Sequence, residues 1–369
     1  MFLWLSNNFR GDLGLLNVFR YVTFRSIGAM ATALLIAVVL FPKFIALLQA
    51  KQLGQVVRDD GPEAHFSKSG TPTMGGVLVL LAMFLSILLW ADLASPFIWL
   101  TTAITAVYGA VGFVDDWLKI RDRNSKGVSE TQKLVTQFGS AILVFTAFYM
   151  GWLGSDYTDT HLHLPFASTK NFSIDIGAPA YIAFASFVVV ATSTTVNFTD
   201  GLDGLVTVPV MVASATFALL CYLTGAKFGN FEVAKYLLIP KVAGVQELAV
   251  FCAALIGACL AFLWYNTFPA LVFLGDVGAL ALGGALGMVS VFSKNELLGV
   301  IVNGLFVVEG ASVVIQRVWY KRTKKRIFRM APIHHHFEKQ GWPEPRVTVR
   351  FWIVSIMLAL VALASLKLR

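Results

Sequence analysis

The sequence predicts an all-α polytopic membrane protein with about ten transmembrane helices. Composition is the first observation: 57% of the 369 residues are hydrophobic and 14% are charged, whereas soluble domains carry about 25% charged residues. The second is that apolar runs of about 20 residues, long enough to span a bilayer as helices, recur along the chain. The third is that polar clusters lie between these runs. Residues 1–369 are therefore interpreted as a single membrane domain.

The predicted spans follow one another in quick succession. In chain order they occupy 26–48, 74–92, 97–115, 134–153, 179–196, 204–224, 247–265, 270–291, 297–317 and 350–367. Small residues within them, as in "LALGGALGM", predict close approach of neighbouring helices. All three cysteines fall in apolar runs without a CxxC spacing, which predicts small core residues rather than disulfides or metal ligands.

The distribution of lysine and arginine predicts the orientation of the chain. The loops after the first, third and ninth spans are rich in these cations, and the ninth reads "RVWYKRTKKRIFRMAPIHHHFEKQGWPEPRVTVR". Because cytoplasmic loops are enriched in lysine and arginine, the loops after odd-numbered spans are predicted to be cytoplasmic and both termini periplasmic. The same loops account for the net charge of +8, so this charge does not indicate a nucleic-acid partner.

Five polar clusters all follow odd-numbered spans. They read "HFSKSGTPTMGG", "GFVDDWLK", "NFTDGLDG", "WYNTFPALVFLGDVG" and "APIHHHFE". The longer loops predicted on the other side, such as 154–178, carry no comparable cluster. The placement predicts that these segments meet in one cleft at the cytoplasmic face.

Acids at the ends of apolar runs are the clearest chemical signal. Asp115 and Asp116 end the third run, where paired acids need solvent, a cation or a metal; ordinary helix-end acids at the interface are the alternative. Lys119, one helical turn later, could partly neutralise them. Asp276, between two apolar runs, also needs a partner. Mg²⁺ is the natural one, because it binds few protein carboxylates and shares its shell with phosphate oxygens.

A second acidic segment, "NFTDGLDG", holds Asn197, Asp200 and Asp203. Its glycines permit a backbone that approaches a ligand closely, although a polar turn capped by aspartate would look the same. A calcium loop is disfavoured because the spacing does not match an EF-hand. Further on, Asn266 and Phe273 lie close to Asp276 in sequence; Phe273 could stack on a base or could simply be a core phenylalanine.

Three consecutive histidines, His334, His335 and His336, allow three interpretations. An expression tag is excluded by their internal position. A zinc site is disfavoured because adjacent histidines rarely converge on one metal and no cysteine partners are present. An anion or proton-handling site is the third, and it fits a phosphate substrate.

Three residues near the starts of spans are candidates for phosphate binding. Lys68 and Thr73 precede the second span, where a helix N-terminus favours anions, although the order of glycine and lysine does not make a Walker A motif. Lys133 begins the fourth span; a lysine that simply extends to the membrane surface is an equal alternative.

The five motifs together resemble the bacterial phospho-N-acetylmuramoyl-pentapeptide transferases. These enzymes belong to the polyprenyl-phosphate N-acetylhexosamine-1-phosphate transferase superfamily. The resemblance extends from about Val18 to the C-terminus, and "RMAPIHHHFEKQGWPEPRVTVRFW" is its most specific part. It implies an Mg²⁺-dependent transfer of phospho-N-acetylmuramoyl-pentapeptide from UDP to undecaprenyl phosphate, which yields lipid I and UMP.

The resemblance also implies the location, the partners and the site. The chain would lie in a bacterial inner membrane, in contact with membrane lipid, and its partners would be UDP-MurNAc-pentapeptide and undecaprenyl phosphate. The assembly, a monomer or a homodimer, stays open. The implied catalytic residues are Asp115, Asp116, Asp276 and His335. Asp276 and Asn197 would hold Mg²⁺. The implied substrate-binding residues are Lys68, Thr73, Lys133, Asn197, Asp200, Asp203, Asn266, Phe273, Gln316, His334 and His336.

Alternatives remain at two levels. Chemically, the lipid phosphate is mostly dianionic at neutral pH, since its second pKa is about 6. Direct attack assisted by Asp116 is therefore preferred over a covalent aspartyl-phosphate intermediate. Functionally, a related transferase that uses UDP-GlcNAc is the nearest competitor. A transporter is disfavoured because the acids sit at span ends and no inverted repeat is visible.

Overall fold

A computed structural model describes residues 1–9, 14–51, 70–122, 127–151, 159–167, 173–228 and 231–367. Within these residues the chain is mostly α-helical. In order, the helices are α1 (Phe2–Phe9), α2 (Val22–Ala50), α3 (Gly76–Trp90), α4 (Pro96–Arg121), α5 (Glu130–Tyr149), α6 (Ala178–Thr199), α7 (Thr207–Gly225), α8 (Val233–Leu237), α9 (Leu248–Asn266), α10 (Gly275–Phe292), α11 (Glu296–Val302), α12 (Gly304–Thr323), α13 (Ile333–Glu338) and α14 (Glu344–Ala364).

Seven of the described helical segments are long and apolar enough to cross a membrane. They are α2, α4, α6, α7, α9 with its preceding turn, α10 and α14, and the pair α11–α12 would add one more if it counts as a single span. This confirms a helical polytopic protein. The prediction of ten spans is not settled by it: α3 has only 15 residues, and α5, which overlaps the fourth predicted span, is not among the seven. The placement of the termini stays a prediction.

The ninth predicted span, 297–317, is wrong as one continuous helix. The chain forms α11 and α12 there, and the two helices meet at an angle of 85°. The break falls at Asn303 and Gly304, two residues with weak helix preference. Leu358 of α14 packs against Gly304. The bend brings the inner face of α12 against α6, where Gly310 lies in contact with Thr195.

Helix α10 forms the centre of the bundle. It packs against α3, α4 and α6, and 89% of its residues are buried. Glycines make these approaches possible: side chains at Gly283 and Gly284 would collide with the backbone of Ser193 and with the ring of Tyr108, respectively. The predicted role of small residues in this segment is therefore confirmed. The three cysteines are free and buried, as predicted.

The two ends of the bundle can be distinguished by which helices end there. At one end, called the site end, α4, α6 and α9 finish, and α5, α7, α10 and α14 begin. At the other, called the far end, strands β1 (His161–His163) and β2 (Ser173–Asp175) form an antiparallel hairpin. A second short pair, β3 (Lys227–Phe228) and β4 (Phe231–Glu232), follows α7.

Candidate active site

Three aspartates meet at the site end, where α4 crosses α10. One carboxylate oxygen from each of Asp115, Asp116 and Asp276 lies within 4.8 Å of the others. The close crossing depends on Gly112 of α4, because a side chain there would collide with the backbone of Asp276. Gly275 adopts a positive φ of 75° at the start of α10 and lies against the carboxylate of Asp116. The sequence predicted all three acids, and the structure brings them together.

Two lysines bridge the first and last of these acids. Lys119 Nζ lies 2.6 Å from Asp115 Oδ2 and 3.1 Å from Asp276 Oδ2. Lys133 Nζ lies 2.8 and 2.9 Å from the same two oxygens. The start of α5 fixes Lys133, because the Ser129 hydroxyl accepts a hydrogen bond from the Gln132 backbone in a capping box.

The donors and the charge of this cluster suit a hard divalent cation. The cluster offers carboxylate oxygens only, which are the ligands that Mg²⁺ prefers. Three carboxylates against two ammonium groups leave a formal charge of −1. The side chain of Asp276 keeps 17% of its surface exposed, so an ion could reach it. The Asp116 carboxylate accepts a long hydrogen bond of 3.3 Å from the Val277 N–H, which leaves acceptor capacity on its oxygens.

The other predicted metal ligand, Asn197, lies in the last turn of α6 and is half-buried. Its backbone carbonyl accepts a hydrogen bond from the Asp200 N–H at 3.3 Å. This bond helps to close the turn that leads into the "DGLDG" segment. The role of Asn197 in metal binding stays a prediction.

The segment 200–204, called the acidic loop, follows α6 and faces the aspartate cluster. Burial raises the pKa of Asp200 to about 8, and the negative charges of Asp276, Asp116 and Asp203 act in the same direction. Asp200 therefore lies in the electrostatic field of the cluster, which favours the protonated form of its carboxyl group.

Asp203 and Asn266 both hold the acidic loop in place. The carboxylate of Asp203 accepts a hydrogen bond of 3.0 Å from the Ala270 N–H. Its backbone N–H donates to Glu344 Oε1 at 2.7 Å. Asn266 is buried and accepts from Gly204 N–H at 3.0 Å, while its amide donates to the carbonyl of Val272 at 2.9 Å. Their predicted contact with substrate stays a prediction, and the structure gives each a backbone-holding role.

Thr73 and Phe273 are brought together by backbone pairing. Phe273 N–H donates to the Pro72 carbonyl at 2.8 Å, and Gly75 N–H donates to the Phe273 carbonyl at 2.8 Å. Thr73 is buried beside Gly275, at the start of α10. Both residues therefore border the aspartate cluster. The predicted Lys68 lies outside the described residues.

The three histidines point to three different partners. His334 is fully buried, and its Nδ1 lies 3.1 Å from Oε1 of Glu309. His335 Nδ1 lies 2.6 Å from Glu338 Oε2. His336 Nδ1 accepts a hydrogen bond of 3.1 Å from the Arg329 N–H. Neighbours in sequence thus have separate surroundings. The predicted catalytic role of His335 and the predicted substrate contacts of His334 and His336 remain predictions.

The side chain of Gln316, in α12, is hydrogen-bonded to the backbone of the segment that follows this helix. Its Oε1 accepts hydrogen bonds from the N–H groups of Ile327 and Phe328 at 3.1 and 3.0 Å, and its Nε2 donates to the carbonyl of Phe328 at 3.2 Å. Both polar atoms of the side chain thus serve the fold of this segment. The predicted contact of Gln316 with phosphate or sugar stays a prediction.

Two residues in the site were not among the predicted set. The sequence predicts Lys119 only as a neutralising charge, although its position four residues after Asp115 on a helix is the signal for a direct ion pair. Glu309 is the second such residue. Its signal was an acid within an apolar run, which in a membrane helix needs a partner on the inside of the bundle.

Comparison with known proteins agrees with this geometry. The profile described as Glycosyl transferase family 4 matches residues 98–294, and phospho-N-acetylmuramoyl-pentapeptide-transferase signature 1 matches residues 68–80. A protein of that name from Sorangium cellulosum (strain So ce56) is 53% identical over 97% of this chain and 96% of its own length. One of the same name from Anaeromyxobacter sp. (strain K) is 50% identical over 97% of both chains. The chain therefore belongs to the phospho-N-acetylmuramoyl-pentapeptide transferase family.

Proposed function

We propose that this chain transfers phospho-N-acetylmuramoyl-pentapeptide from its UDP carrier to undecaprenyl phosphate and so forms lipid I and UMP. The observation that carries the proposal is the cluster of Asp115, Asp116 and Asp276 with two bridging lysines at one end of an apolar helical bundle. Such a site can neutralise phosphates at the membrane surface, where a water-soluble donor meets an acceptor that stays in the lipid. The names of its relatives support the same reaction.

We infer that the reaction uses Mg²⁺, held by Asp276 with Asp116 and Asn197 as further candidate ligands. The supporting observations are the all-oxygen donor set and the net negative charge of the aspartate cluster. When bound, the ion would neutralise charge on the donor diphosphate and stabilise the departing phosphate of UMP.

The chain's own residues bring the two phosphates together in the proposed mechanism. An oxygen of undecaprenyl phosphate attacks the phosphorus that carries the sugar, and a new P–O bond forms. The bond from this phosphorus to the bridging oxygen breaks, and its electron pair leaves with UMP. Because the attacking phosphate is mostly dianionic at neutral pH, Asp116 needs only to orient it or to accept its last proton.

Lys119 and Lys133 are suited to move between carboxylate and phosphate. Each bridges Asp115 and Asp276 in the described structure, and their side chains keep 25% and 20% of their surface exposed. A phosphate entering the site would offer the ammonium groups a second anionic partner. We infer that these lysines bind the donor diphosphate and that Asp115 holds them in position while the site is empty of substrate.

The one-step mechanism has a direct test. Without undecaprenyl phosphate, the chain should not exchange labelled UMP into the UDP-linked substrate, because no phosphoryl-enzyme is formed. Exchange that persists after lipid phosphate has been removed rigorously would establish the covalent aspartyl route instead.

The reaction itself is tested with purified full-length protein. UDP-MurNAc-pentapeptide, undecaprenyl phosphate and Mg²⁺ should yield UMP and a lipid-linked product, and EDTA should stop both. UDP-GlcNAc in place of the first substrate should yield far less UMP. Absence of UMP release with the pentapeptide substrate, or a preference for UDP-GlcNAc, would overturn the proposed function.

We infer further that the site end faces the cytoplasm of a bacterial inner membrane, with ten spans and both termini in the periplasm. The support is the excess of lysine and arginine in the loops at the site end. Single cysteines in a chain whose native cysteines have been replaced would test it. A cysteine at Asn8 should react with an impermeant maleimide in intact cells, and one at Lys325 should react only after lysis. A homodimer stays a prediction, which mass measurement in detergent would check.

A further inference from the structure

A glutamate and a histidine form an isolated pair inside the site end. Glu309 of α12 and His334 of α13 are both fully buried, and Oε1 and Nδ1 lie 3.1 Å apart. Among the described residues, neither side chain makes a well-aligned hydrogen bond, so this contact between carboxylate and imidazole is the close polar contact that the structure gives each of them. Each is therefore the other's main compensation for loss of water.

A lone acid at this position needs a reason. The neighbouring buried residues on α12 include Leu305, Phe306, Gly310 and Ser312, so the face is otherwise apolar or small. A charged residue in the middle of a membrane helix costs about 2.5–3.5 kcal/mol on insertion scales. A leucine would fill the same space without that cost. The acid is thus expected to do something that packing alone would not require.

The imidazole of His334 is what joins this pair to the substrate side of the site. It lies directly against Gly201 in the acidic loop, where any side chain would collide with Nε2. Asp200, in the field of the aspartate cluster, is the adjacent residue. Two residues after Gly201, Asp203 is hydrogen-bonded to the Ala270 backbone and to Glu344. The acidic loop is therefore fixed on one side by hydrogen bonds and on the other by the ring of His334.

The contact is one of shape, so the position of the ring matters. An imidazole has two orientations about its last torsion, and a carboxylate beside Nδ1 favours one of them through its charge. Glu309 is placed to make that selection. Without the carboxylate, the ring would be free to turn, and the contact of His334 in α13 with Gly201 in the acidic loop would no longer be fixed.

We propose that Glu309 is a positioning residue for the donor substrate: through His334 it fixes the acidic loop, and thereby sets the affinity for the UDP-linked sugar. This inference rests on the proposed function. It assigns Glu309 no contact with substrate and no part in bond making. Its removal should therefore change the KM for the UDP-linked substrate more than kcat.

The far end supplies a matched control. Glu296 is as buried as Glu309, with 1% of its surface exposed, and it also lies near a cation, 3.8 Å from Lys294. Its carboxylate accepts a hydrogen bond from the Tyr181 hydroxyl. Glu296→Ala therefore reports the cost of losing a buried acid from this bundle far from the acidic loop.

The experiment compares Glu309→Ala, Glu309→Gln and Glu296→Ala in full-length protein with UDP-MurNAc-pentapeptide and undecaprenyl phosphate. Glu309→Ala should raise the KM for the UDP-linked substrate about tenfold or more and change kcat less than threefold, since misplacement of a binding element costs about this much. Glu309→Gln keeps an acceptor oxygen for Nδ1 and should stay within about threefold of wild type. Glu296→Ala should lower the melting temperature without moving either KM.

A double-mutant cycle separates loss of the interaction between Glu309 and His334 from a general loss of folding. His334→Ala should raise the same KM, and the double variant Glu309→Ala/His334→Ala should be no worse than His334→Ala alone, because both changes remove one interaction. Effects that multiply, or a KM rise in Glu296→Ala equal to that in Glu309→Ala, would overturn the positioning role. So would a Glu309→Ala enzyme with unchanged KM. If wild-type protein itself releases no UMP, the proposed function fails instead, which keeps the two failures distinct.

Discussion

Both ends of the bundle bury charged side chains, but they balance them differently. At the far end, Arg25 and Glu247 form a one-to-one pair with two contacts of 2.6 Å, and only 2% and 10% of their surfaces are exposed. At the site end, three carboxylates share two ammonium groups, and the side chain of Asp276 remains 17% exposed. The Arg25–Glu247 pair is closed and neutral, whereas the aspartate cluster is open and negative.

The difference separates charges that stabilise the fold from charges that are available to a ligand. At the far end Lys294 is 1% exposed, its ammonium lies over the ring of Tyr181, and it donates to the carbonyl of Asp159. Burial lowers the pKa of Lys294, although Glu296 and Asp159 oppose the shift. Each of these buried charges at the far end has a partner within the protein. Among the described residues, the aspartate cluster has one carboxylate more than its two ammonium groups, an excess of charge that a bound cation would balance.

The largest effect is expected from Asp276→Asn, which removes charge from the open cluster. Activity should fall about ten thousandfold, equivalent to roughly 5 kcal/mol of transition-state stabilisation, because the proposed Mg²⁺ and both bridging lysines lose their common carboxylate. UMP release would measure it. Asp122→Asn, an exposed acid just beyond α4 that pairs with Arg121, is the control and should keep full activity. Retention of a tenth of wild-type activity in Asp276→Asn would contradict the assigned role.

Breaking the closed pair at the far end should affect stability instead. Glu247→Ala leaves the Arg25 guanidinium buried without its carboxylate, and loss of one partner of such a pair costs about 3–5 kcal/mol. The melting temperature in detergent should drop sharply, while kcat measured per folded molecule stays within about twofold. Glu232→Ala, which removes a surface partner of Lys241, should barely change the melting temperature. An active-site defect in folded Glu247→Ala protein would show that the two ends are coupled.

A smaller loss of activity is expected when one bridging lysine is removed. Lys133→Ala should lower kcat/KM about 10- to 100-fold, because a charge-assisted contact to phosphate is lost while Lys119 still bridges the two acids. Lys119→Ala should behave alike, and the double variant should lose more than either single one. Lys241→Ala, which removes an exposed cation away from the site, is the matched control. Equal activity in Lys133→Ala and wild type would argue that this lysine only extends to the membrane surface.

The sequence predicted the class of fold and most of the site because both leave local marks. Apolar runs of sufficient length must become helices in lipid, and acids at the ends of such runs are conspicuous against hydrophobic neighbours. The three aspartates were found in this way. Lys133 was predicted as well, although the sequence was equally compatible with a membrane-surface lysine. The structure gives its ammonium group ion pairs with Asp115 and Asp276, and its contact with phosphate stays a prediction.

What the sequence did not predict depends on contacts between distant segments. The sharp bend between α11 and α12 lies inside an apolar run that the sequence predicts as one span. In the structure, Leu358 of α14 packs against Gly304 at this bend, a contact between segments that are distant in sequence. Glu309 needs His334, 25 residues later, to make sense of its burial. The resemblance implied Gln316 and Asp203 as substrate ligands. Their hydrogen bonds to backbone groups could not be read from the sequence.

The smallest effect concerns Asp200, which lies in the field of the open cluster. Burial raises the pKa of Asp200 to about 8, and the charges of Asp276, Asp116 and Asp203 act in the same direction. The pKa of an aspartate in an unfolded chain is about 3.9. Between these values the folded chain holds a proton that the unfolded chain has lost. The stability from this proton is therefore complete below about pH 4 and is lost as the pH rises through about 8.

Asp200→Asn should remove this dependence. In EDTA, the melting temperature of the wild-type protein should fall more steeply than that of Asp200→Asn as the pH rises from about 5 to 8. Added Mg²⁺ should flatten the wild-type curve, because a cation in the aspartate cluster offsets the repulsion that raises the pKa. Glu232→Gln, a surface acid at the far end, should keep the wild-type slope. Parallel curves for wild type and Asp200→Asn would mean that Asp200 is ionised throughout and that the negative potential of the site end does not reach the acidic loop.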